Sequence, residues 1–92
     1  PGNFDAADAD VLLSRLGMST QSILDMSADD LNQHLLRMHF DYANMEKLAD
    51  ALAILPLNRQ DYIQKAIAVY EFIQRDSKML SFEIVNKIEL LK

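Results

Sequence analysis

The residues that could carry acid–base or metal chemistry are few in this chain of 92 residues. His34 and His39 are its two histidines. Their spacing of five puts them about 140° apart on a helix, whereas a metal-binding pair shares one face at i and i+4. The chain contains no cysteine, which excludes disulfides, zinc–thiolate sites and thiol redox chemistry. The pattern therefore predicts no metal site.

The carboxylates and hydroxyls also have structural uses. Asp29 and Asp30 fall in the first turn of a predicted helix, where the helix dipole favours negative charge. A general acid or base instead needs a concave, partly apolar site that shifts its pKa. No G-x-S-x-G elbow is present, and Gly2 and Gly17 alone cannot build a phosphate loop. Four of the six serines fall at predicted cap positions: Ser19, Ser27, Ser77 and Ser81. We therefore expect no catalytic residue, no cofactor and no enzyme activity.

The charge distribution bears on the choice of partner. The formal net charge is −5, and residues 1–46 carry eight acidic and two basic residues, a net charge of −6. Nucleic-acid binding depends on clustered Lys and Arg, so we expect no nucleic-acid partner. No apolar run approaches the roughly 20 residues that cross a bilayer. We expect a cytoplasmic protein without a membrane partner. The chain lacks an initiator Met, which is consistent with processing or excision from a longer chain.

One stretch organises the rest: Arg59 to Asp76 is predicted to be the central helix. Its apolar residues recur by threes and fours, over an arc wider than the usual 100° or so of a surface helix. Such a helix needs neighbours on two sides. The apolar residues are Tyr62, Ile63, Ala66, Ile67, Val69, Tyr70, Phe72 and Ile73.

Several short helices are predicted before the central one. Residues 1–8 form a loose arm, and Asp8 or Asp10 caps a helix that Gly17 ends as a left-handed C′ residue. Ser19 or Thr20 caps a second helix, and Ser27 caps a third. From Ala28 to Leu55 the apolar register allows one long helix or two helices. We favour two, with Asp41 as an N-cap and Phe40 packed on Met45 as a hydrophobic staple.

The remaining signals complete an all-α fold. Pro56 ends the preceding helix, and the short connection through Asn58 predicts an antiparallel αα-hairpin with the central helix. Ser81 caps a last helix, in which Lys87 suits the C-terminal end of the dipole. We predict one domain over residues 1–92, a compact bundle of five to six short helices with this hairpin at its centre.

Leu12 to Met26 resembles the helix-turn-helix pattern of DNA-binding proteins. Gly17 stands at the turn, and Ile23 and Met26 stand at buried positions of the second helix. The resemblance implies a transcriptional regulator. The helix that would read DNA has no Lys or Arg and carries Asp25, which favours a turn used only for packing. An acidic, atypical helix-turn-helix regulator is the alternative function.

Tyr42 to Lys92 resembles a tetratricopeptide-type helical array. Leu48 and Leu52 match the first helix of a repeat. Ala66, Ile67 and Tyr70 match the A-[IL]-x-x-[YF] core of the second helix, although the glycine that pairs the two helices is absent. The resemblance implies a protein-binding scaffold.

Three large apolar residues on three successive predicted helices lie off the apolar stripe of their own helix: Ile54, Phe72 and Leu90. Single exposed apolar residues are ordinary, but a joined patch marks an interaction surface. We therefore predict a non-catalytic protein-interaction or assembly module, which binds a protein partner or a second copy of itself through these residues.

Overall fold

Most of the described helices begin directly after a residue whose side chain caps them. The computed structural model describes residues 11, 13, 14, 17–55 and 59–92. Five helices are delimited there: α1 Thr20–Asp25, α2 Ala28–Arg37, α3 Tyr42–Ala53, α4 Arg59–Ser77 and α5 Phe82–Leu91. The described residues form no strand, which confirms the all-α prediction. The predicted loose arm, with Asp8 and Asp10, lies outside the described residues.

Three of the predicted serine caps stand at the starts of α1, α2 and α5. The hydroxyl of Ser19 accepts from Ser22 N at 3.1 Å in a capping box, and Ser27 and Ser81 cap α2 and α5. Ser77 differs from the prediction: it is the last residue of α4, and its Oγ accepts from Met79 N at 3.2 Å.

The stretch from 28 to 55 is two helices, as we favoured. Asp41 caps α3, and its carboxylate accepts from Asn44 N at 2.8 Å. The end of α2 was not predicted. His39 adopts φ +61°, and Phe40 N donates to Leu35 O at 3.1 Å, so a histidine takes the left-handed place that glycine usually fills. Met45 is fully buried and Phe40 is partly buried against the core.

Gly17 ends the first helical segment as predicted. Its φ is +69°, its N–H donates to Ser14 O at 3.1 Å, and Met18 N donates to Leu13 O at 3.0 Å. These two bonds are the Schellman pattern of a helix C-terminus. A side chain added at this φ would be strained, so glycine suits the turn.

The central helix α4 packs against each of α1, α2, α3 and α5, which confirms that its wide stripe has neighbours on more than one side. Its buried residues are Tyr62, Ile63, Ala66, Ile67, Val69, Tyr70 and Ile73. The radius of gyration is 12.3 Å, and about 12 Å is expected for a compact domain of this length. Among the described residues, no helix is long and apolar enough to cross a membrane.

Tyrosine hydroxyls join α4 to its neighbours. Tyr62 donates to the carbonyl of Thr20 at 3.0 Å. Tyr42, at the start of α3, donates to Asp76 Oδ2 near the end of α4 at 2.6 Å. This contact shows that α3 and α4 are antiparallel, so the predicted αα-hairpin is confirmed.

A candidate protein-binding groove

Two of the three predicted interface residues lie in one shallow groove of about 240 Å³. Ile54 is 56% exposed and Leu90 is 84% exposed, and both line it. Phe72 is not among the lining residues. It is half-buried and packs against the core, because α4 is covered on several sides and its flank is sheltered. The structure therefore brings Ile54 and Leu90 together without Phe72.

The groove forms where two parallel helices end. Ser81, the N-cap of α5, donates its N–H to Gln74 Oε1 near the end of α4 at 3.0 Å. Leu91 at the end of α5 lines a depression with Arg59 at the start of α4, so α5 runs antiparallel to α4. Since α3 and α5 are each antiparallel to α4, their C-terminal ends lie at the same end of the bundle. The lining residues are Asp50, Ala53 and Ile54 from α3 and its C-cap, Tyr70 from α4, and Lys87, Leu90 and Leu91 from α5. The floor is mainly apolar.

Charged side chains join the three helices at one edge of the groove. Lys87 Nζ lies 2.5 Å from Glu46 Oε2 and 3.1 Å from Asp50 Oδ1. The hydroxyl of Tyr70 donates to Asp50, and Lys87 Nζ lies 5.9 Å from the centre of the Tyr70 ring. We call these four residues the Lys87 cluster. With two carboxylates and one ammonium, its formal charge is −1.

Two members of the Lys87 cluster, Tyr70 and Lys87, have raised pKa values. Burial and the hydrogen bond to Asp50 raise the pKa of Tyr70, which is only 2% exposed. Burial alone would lower the pKa of Lys87, but the hydrogen bonds and charges of Glu46 and Asp50 outweigh it, and the pKa is raised. Both groups ordinarily titrate near pH 10. Tyr70 and Lys87 thus keep their protons at neutral pH, which suits a fixed charged edge better than proton transfer.

This cluster was not predicted from the sequence. Glu46 and Asp50 stand at i and i+4 on one helix face, a like-charge pair that is unfavourable without a cation nearby. That spacing was the available signal. Lys87 was predicted to serve the end of its own helix, but it pairs with α3 instead, because the parallel arrangement of α3 and α5 brings it there.

A second, more polar depression lies along α4. Arg59, Glu71 and Lys92 contribute charges of both signs, and Ile63, Ile67 and Leu91 contribute apolar surface. Arg59 Nη1 also reaches Ala53 O at 3.5 Å, at the end of α3.

The histidines are not brought together with other ligands. His34 is partly buried, its Nε2 has no hydrogen-bond partner among the described residues, and His39 is exposed. Within the described residues, no three His, Cys, Asp or Glu side chains are grouped so that they could hold a metal ion. Asn32 is 3% exposed, and its Oδ1 has no hydrogen-bond partner in the part of the chain that the structure describes. This polar residue in the core was not predicted from the sequence.

Comparisons with known proteins gave no match to a family model, to a curated protein or to a solved structure. The groove is therefore interpreted from its own residues.

Proposed function

We propose that the chain is a non-catalytic protein-interaction module that binds a protein segment in the groove between α3 and α5. The observation that carries this proposal is the pair Ile54 and Leu90, whose large side chains stay exposed on the wall of a single groove. Burying such side chains on binding is worth about 25 cal/mol per Å² of apolar surface before the costs of association.

The charged edge supports the same function. Polar groups beside an apolar groove orient a ligand and select among partners. Asp50 retains 46% side-chain exposure although it binds Tyr70 and Lys87, so its carboxylate remains accessible to a partner. The segment from Tyr42 to Lys92 resembles a tetratricopeptide-type array, and this resemblance points to the same class of protein. We also propose that the module is located in the cytoplasm.

Site-specific photocrosslinking in cells that express the protein tests this function. A photoreactive residue at position 54 or 90 is expected to give a discrete crosslinked protein, which mass spectrometry identifies. The matched control is position 33, because Gln33 is exposed on α2. Absence of any crosslinked protein from positions 54 and 90 beyond that from position 33 would contradict the proposal.

A further inference from the structure

We draw no further inference here: the strongest candidate, the exposed apolar patch that Met79, Leu80 and Phe82 form where α4 connects to α5, carries nothing because nothing in the structure shows what covers it.

Discussion

Alkaline pH should weaken the fold through Tyr70. Its pKa is raised in the folded chain, first by burial and then by the hydrogen bond to Asp50. Below the ordinary tyrosine pKa of 10.0, the folded and unfolded chains both hold the proton. Above that pH the unfolded chain releases the proton and the folded chain retains it, so stability falls as pH rises.

The size of this loss follows from the linkage relation. One proton difference changes the free energy of unfolding by about 1.4 kcal/mol per pH unit. At pH 11 the parent should therefore have lost about 1.4 kcal/mol through Tyr70, which corresponds to a fall in Tm of about 6–11 °C for a domain of this size. Lys87 adds to the loss in both parent and variant, because its pKa is also raised.

The substitution Tyr70→Phe removes this contribution. At pH 8 it should cost about 1 kcal/mol, the net worth of a hydrogen bond whose acceptor keeps some contact with water. The deficit should then shrink as pH rises, vanish between about pH 10 and pH 11 and reverse slightly by pH 11, because only the parent loses stability when this tyrosine ionises in the unfolded chain.

Urea denaturation of parent and Tyr70→Phe at several pH values from 8 to about 11 measures the two free energies. Tyr42→Phe is the matched control. Tyr42 also donates to a carboxylate and its pKa is raised, first by that hydrogen bond, but its side chain is exposed, so solvent screening should leave a smaller dependence on pH. A constant gap between parent and Tyr70→Phe across this range would refute the reasoning.

Three further predictions concern the core, a helix end and the alternative function. Ile67 is 8% exposed, and Ile67→Asp would bury an unpaired carboxylate at a cost of several kcal/mol; a melt within a few degrees of the parent would show that the placement is wrong. His39→Gly should stabilise by about 0.5–1 kcal/mol, because glycine suits φ +61°, and equal or lower stability would count against strain at that turn. The acidic N-terminal half should not bind duplex DNA in a mobility-shift assay at physiological salt, and submicromolar affinity would instead support the helix-turn-helix alternative.

Local chemistry made much of the fold predictable. Helically spaced apolar residues stand both before and after Asp41, so its role as the cap of α3 could be inferred from neighbouring residues alone. The central stripe likewise indicated that Ala66 and Ile67 are buried, and both are. The left-handed His39 was not predictable in this way. Histidine is enriched among the non-glycine residues with positive φ, but such residues are uncommon, so residue type alone does not identify the position.

The groove was only half predictable. Ile54 and Leu90 leave their own helical stripes, and this angular signal identified two exposed residues. Phe72 gave the same signal, but the neighbours of α4 partly cover it. The Lys87 cluster depends on which helix ends meet, and that is a tertiary property that helical periodicity does not report.

The crosslinking yield at position 90, relative to position 33, is the most direct measure of whether the groove binds protein. If the groove binds protein, a photoreactive residue at position 90 should give a discrete crosslinked protein, and one at position 33 should not. Asp50→Lys, which reverses the charge at the groove edge, should lower the yield at position 90. Equal yields from positions 90 and 33 would contradict the claim that the α3–α5 groove is a protein-binding site.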